Sequence, residues 1–179
     1  MNEKILLHIC CAPCLCYPHD LLLDEGYNIT GFWFNPNIHG YGEYSKRLMA
    51  LGYYVSKKKE MEFFEEEYEP ELWFSRIGGL NGKRRCRECY KLRIEKAVEA
   101  ARKNSIENFT TTLLYSKFQN HEDIKSLAAD ISAEAGIKFI YKDFRLGWKK
   151  GIDISKKMGL YRQQYCGCLF SERERTNVS

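Results

Sequence analysis

From residue 4 to residue 158 the chain alternates short apolar or β-branched runs with segments of helical period, and nothing else in it constrains the fold as tightly. Residues 4–10, 29–34, 53–56, 109–114 and 137–141 read as strands. Residues 18–25, 44–51, 86–103, 120–135 and 151–158 read as helices. The clearest helix carries Tyr90, Ile94, Ala97, Val98 and Ala101 on one stripe, and Asn120 stands where a cap opens the next. Gly52 stops one helix, and the charge-dense residues 57–71, with Glu65, Glu66 and Glu67, read as a solvated helix face. Strands separated by helices pair in parallel, so the expected fold is α/β, a parallel sheet with helices on both faces. Sites in such sheets lie outside the carboxyl ends of the strands. With 179 residues and no internal repeat, one domain spanning 1–179 is expected.

Six of the eight cysteines fall in three tight pairs, Cys10 with Cys11, Cys86 with Cys89, and Cys166 with Cys168. Cys10 and Cys11 follow the first strand, at the expected site edge. Consecutive strand side chains point to opposite sides, so these two are not expected to chelate one ion together. Cys86 and Cys89 share a helix face near its N-terminus, where the dipole favours thiolate. Gly167 permits a close, bent approach between Cys166 and Cys168. A cubane iron–sulfur cluster takes four ligands, and six thiols leave a surplus that suits a second metal with an open position. Cys14 is a further possible ligand and Cys16 is expendable.

The carboxyl edge gathers other candidates. His39 lies after the second strand and is a candidate for substrate contact, whereas His8 reads as a satisfied core residue. Ser116 and Gln119 follow the strand at 109–114 and suit a polar ligand. Asp143 and Arg145 follow the last strand; Asp143 fits a second-metal ligand or a proton donor, or simply a cap or ion pair. Lys83, Arg84, Arg85 and Arg87, with Lys149, Lys150, Lys156, Lys157 and Arg162, form either a rim for RNA phosphates or a solvated basic face.

The formal charge of +4 admits a polyanionic partner without requiring one. No stretch reaches the ~20 apolar residues of a membrane span, and the N-terminal run is broken at His8, unlike a secretion signal. The expected compartment is the reducing cytoplasm, with the cysteines as thiols or ligands. No Walker A motif is present, nor a phosphate loop of the ATP-pyrophosphatase type after the first strand.

In several motifs the chain resembles the QueH family of epoxyqueuosine reductases. These are residues 6–14 (LLHICCAPC), 35–39 (NPNIH), Glu43-Tyr44 with Arg47, Cys86 and Cys89 with Tyr90 and Arg93, residues 110–114 with Ser116 and Gln119, and residues 161–171 (YRQQYCGCLFS). Gly40 and Lys117 stand where that family's pattern often has proline. The resemblance implies a Rossmann-like fold of the nucleotide α-hydrolase kind. It implies the last step of queuosine synthesis, removal of the epoxide oxygen from epoxyqueuosine at the tRNA wobble position. It also implies a [4Fe-4S] cluster with an adjacent mononuclear iron, no cobalamin, and a low-potential electron donor. On this reading Cys10, Cys11, Cys86, Cys89, Cys166 and Cys168 are ligands, and Cys10 and Asp143 are the catalytic candidates. Tyr161, Arg162 and Gln163 join His39, Ser116, Gln119 and Arg145 at the substrate, and Lys83, Arg84 and Arg85 meet the tRNA backbone. The rival readings are a zinc-binding tRNA-interaction module and an ATP-pyrophosphatase-like enzyme inserting sulfur into tRNA.

Overall fold

The computed structural model describes residues 3–58 and 60–176; residues 1, 2, 59 and 177–179 lie outside it. Five parallel strands form one sheet: β1 (Lys4–His8), β2 (Asn28–Trp33), β3 (Glu62–Glu65), β4 (Asn108–Thr111) and β5 (Lys138–Phe139). Their spatial order is β3-β2-β1-β4-β5. Pairing runs in register from Ile5 opposite Ile29 on one side and Asn108 on the other. The helices are α1 (Ala12–Asp24), α2 (Tyr41–Lys57), α3 (Pro70–Ile77), α4 (Gly82–Lys103), α5 (His121–Glu134), α6 (Trp148–Lys157) and α7 (Leu169–Thr176). Right-handed crossovers leave α1 and α2 on one face and α4 and α5 on the other. Packing agrees, since α1 meets α2 and α6 while α4 meets α5 and α3. This is the expected Rossmann-like α/β arrangement.

The central strand β1 is deeply buried, with Ile5, Leu6 and Leu7 fully enclosed between the helical layers. A strand covered on both faces reads as a continuous apolar run, and this one does. Trp33, Phe32 and Phe109 extend the core through β2 and β4.

Three expectations need correction. Residues 53–56 are not a strand: α2 runs through Gly52 to Lys57, burying Tyr44, Arg47, Leu51 and Tyr54 on one face. The third strand instead lies inside the charged segment, where Phe63 and Phe64 are half-buried between the exposed Glu62 and Glu65. Helix α1 begins at Ala12 and carries Pro18 within it. Its N-cap is Cys11, so the first strand is over before the cysteine pair arrives.

Candidate functional site

Strand connections diverge between β1 and β4, since β1 leads away to β2 while β4 leads to β5. A crevice forms at such a switch point, outside the carboxyl ends of the strands. Cys10 sits there. Its N–H donates to Thr112 Oγ1 at 2.9 Å, and the same hydroxyl donates to Cys10 Sγ at 3.2 Å. Thr112 opens the 3-10 turn Thr112–Tyr115 that continues β4.

The first turn of α1 completes a sulfur triad. Cys11 is the extended N-cap, Pro13 lies in the first turn, and Cys11 Sγ accepts the Cys14 N–H at 3.3 Å. Cys10, Cys11 and Cys14 place their sulfur atoms within 4.8 Å of one another. The expectation that Cys10 and Cys11 diverge fails because neither is in the strand. The turn folds their sulfurs to 3.9 Å. Hydrogen bonding from Cys11 and then Cys14 holds the Cys10 thiol well below its ordinary range. Burial pushes Cys11 up.

Two further thiol pairs, from distant segments, face the same cavity and are taken together as a second group. Cys86 and Cys89 lie on α4, and Cys166 and Cys168 on the loop before α7; Cys166 and Cys168 have their sulfurs 3.7 Å apart. The expected dipole-lowered thiols on α4 are not found. Cys86 is already in the second turn, and burial raises both Cys86 and Cys89 above the ordinary value. The low thiol of this group is Cys166, brought to about 5, chiefly by hydrogen bonding from Cys168.

The loop carrying Cys166 and Cys168 has no regular structure, and polar side chains pin it. Arg47 donates to the carbonyl oxygens of Cys166 (3.0 Å) and Tyr165 (3.2 Å), and Asn37 Nδ2 to that of Cys166 (3.3 Å). The His39 N–H donates to the Gly167 carbonyl at 2.9 Å, and His39 Nδ1 accepts the Leu169 N–H at 3.1 Å. Gly167 adopts φ +124, and a Cβ there would lie 2.9 Å from Ile38 Cγ1. The Asn-Pro-Asn-Ile-His segment is thus the seat of the thiol-bearing loop.

Both thiol groups border one cavity of about 470 Å³, lined by Cys10, Cys14, Cys86, Cys89, Cys166 and Cys168. Arg93, 3% exposed, projects into it from α4. Its guanidinium donates to Asn35 Oδ1 at 2.5 Å, while its Nε finds no partner among the described residues. A fixed cation beside buried thiols offsets the charge that sulfur ligands carry as thiolates. The donor set is sulfur alone and suits a metal: Cys10, Cys11 and Cys14 form a close triad, four further thiols border the same cavity, and every described cysteine is free of disulfide.

The remaining candidates divide. Ser116, Gln119, Gln163 and Arg85 line the cavity; His39, Arg145, Tyr161, Arg162, Lys83, Arg84 and Asp143 do not. Gln163 Nε2 donates to Cys11 Sγ at 2.7 Å, covering the triad. Tyr161 donates to Glu43 at 2.6 Å and so supports the Arg47 clamp. Asp143 caps the 3-10 turn at Phe144–Gly147 and forms an ion pair with Arg145 at 2.7 Å. Hydrogen bonding from Arg145 holds its carboxyl below the usual range, so it has no proton to give at neutral pH. Arg85 is buried against Glu174 (3.1 Å) and the Phe170 ring, whereas Lys83 and Arg84 are exposed. Sequence reasoning gave Arg47, Arg93, Asn35 and Asn37 no role. Buried arginines are rare without partners, but a sequence does not announce that an arginine is buried.

Comparison with known proteins identifies the family. The family model described as "Epoxyqueuosine reductase QueH" matches residues 5–174. A protein of Dehalococcoides mccartyi with that name is 34% identical over 98% of this chain and 96% of its own length. One from Thermotoga maritima is 34% identical over 96% of this chain and 91% of its own. One from Haemophilus influenzae is 34% identical over 97% of this chain and 73% of its own. With the match spanning nearly the whole chain and all eight cysteines, the chain belongs to the QueH family of epoxyqueuosine reductases and is an oxidoreductase.

Proposed function

We propose that this protein removes the epoxide oxygen of epoxyqueuosine at the wobble position of tRNA, using a [4Fe-4S] cluster and a neighbouring iron. The carrying observation is the convergence of six thiols on one cavity at the sheet's switch point, with Cys11 beside two of them, in a chain of this family. Cys86, Cys89, Cys166 and Cys168 are the set of four that a cubane takes, and Cys10, Cys11 and Cys14 offer the adjoining site. When bound, these groups supply electrons and a Lewis acid. The overall change consumes two electrons and two protons and yields an alkene and water, so a low-potential electron donor is required as a partner.

The chain's own residues supply the rest. Arg93 places a fixed positive charge beside both thiol groups. Ser116 and Gln119, on the cavity wall, offer hydroxyl and amide groups to the polar cyclopentane ring. Tyr90 lines the cavity, and its hydroxyl is the proton source we favour over Asp143. Trp73, Tyr90 and Trp148 narrow the cavity and exclude water. Exposed Lys83 and Arg84 meet the tRNA backbone. No described helix is long and apolar enough to cross a membrane, and a tRNA substrate places the enzyme in the cytoplasm.

The test is Cys89→Ala in protein purified without oxygen. The variant is expected to lose the cluster's visible absorbance and all conversion of epoxyqueuosine-bearing tRNA. Turnover retained by that variant sinks the assignment.

A further inference from the structure

Resting on that reading, we infer that Phe118 and Trp148 form a stacking corner at the cavity mouth for an unpaired base of the RNA next to the modified one. Phe118 lines the cavity yet leaves 90% of its surface exposed. One exposed aromatic alone means little. This one is held in place and paired. Its N–H donates to Ser116 Oγ at 3.2 Å, and its ring meets Trp148 edge to face, with centroids 5.9 Å apart at 74°.

Trp148 is the fixed wall of the corner. Its ring stacks on Tyr115 at 5.0 Å, and the Tyr115 hydroxyl donates to the Trp148 carbonyl oxygen at 2.9 Å. Lys117 places its Nζ 5.6 Å from the Trp148 ring centroid, and Lys149 and Lys150 stand exposed at the start of α6. A free aromatic face against a rigid aromatic wall, with cations around it, matches a flat base with a phosphate on either side. A protein partner calls for a broader apolar patch. Here the neighbours of Phe118 are Lys117, Gln119 and Asn120, so one base fills the corner.

The experiment measures binding of purified tRNA carrying epoxyqueuosine to wild type, Phe118→Ala and Phe118→Tyr over a range of salt. Phe118→Ala is expected to bind roughly 5- to 100-fold more weakly, with an unchanged slope of log Kd against log salt, because stacking releases no counterions. Phe118→Tyr keeps a stacking ring and is expected to stay within about twofold of wild type. All three are expected to carry equal iron and sulfide. Equal affinity in Phe118→Ala, or an equal loss in Phe118→Tyr, overturns the stacking corner and leaves the reductase reading standing. Failure of wild type itself to bind this tRNA overturns both.

Discussion

Arg47 on α2 reaches the carbonyl oxygen of Cys166, 119 positions away in sequence, with a hydrogen bond of 3.0 Å. The same guanidinium bonds Tyr165 O and Glu43 and lies 5.3 Å from the centre of the Tyr165 ring. A helix packed on the sheet therefore fixes an irregular loop that carries half of the second thiol group. Removing one member of such a buried charged pair costs about 3–5 kcal/mol. Arg47→Met is expected to lower the unfolding free energy by about 3 kcal/mol in urea titration. A change below about 0.5 kcal/mol, the range of ordinary surface substitutions, contradicts the clamp.

Gly167→Ala tests the same loop from the backbone. The residue must keep φ +124 while its new methyl meets Ile38 and Arg47. The expected cost is about 1–3 kcal/mol, with loss of bound iron and sulfide from the anaerobically prepared protein. A fully loaded variant of wild-type stability shows that the loop does not need this geometry.

All four histidines sit below their ordinary pKa, each chiefly through burial: His8 at about 3, His39 at about 4, and His19 and His121 lowered. The neutral ring is the form the fold accepts, so below about 6.5 the unfolded chain binds more protons than the folded one. Stability is therefore complete above that pH and falls as pH drops through the window toward 4 and then 3. His19, which bonds Tyr54 and lies beside the Asp20–Lys58 ion pair, isolates one proton of this effect. Denaturant titrations of His19→Gln across pH 4.5 to 7 are expected to show a slope shallower by up to about 1.4 kcal/mol per pH unit. An unchanged slope contradicts a neutral His19.

Lys83 and Arg84 stand exposed at the start of α4, whereas Arg85 is turned inward against Glu174. Replacing Lys83 and Arg84 with alanine is expected to weaken tRNA binding and to reduce the salt slope by about one to two. Arg85→Ala is expected instead to loosen α7 and lower stability. If the double variant keeps the wild-type salt slope, those cations are a solvated face and touch no phosphate.

What could be read in advance follows from where the physics is local. The apolar stripe of α4 and the Asn120 cap, whose side chain accepts the Asp123 N–H, are set by near neighbours and were legible. The third strand was not. Tyr53, Tyr54 and Val55 have strand-forming side chains, but only Tyr54 is fully buried, inside a continuing helix. The real edge strand disguises two phenylalanines between glutamates, as exposed edges do. For the site, Cys11-Ala12-Pro13-Cys14 held an unread signal: a cap followed by proline in the first turn, which explains why Cys10 and Cys11 converge. The clamp by Arg47 and the seat formed by Asn37 and His39 depend on contacts between distant segments, which no local pattern encodes.

The most direct test of the central claim is the iron, zinc and acid-labile sulfide content per chain of protein purified without oxygen. The account predicts about four sulfides with four to five irons, drawn by the two thiol groups on the shared cavity. Zinc without sulfide, persisting after anaerobic reconstitution with iron and sulfide, would contradict it.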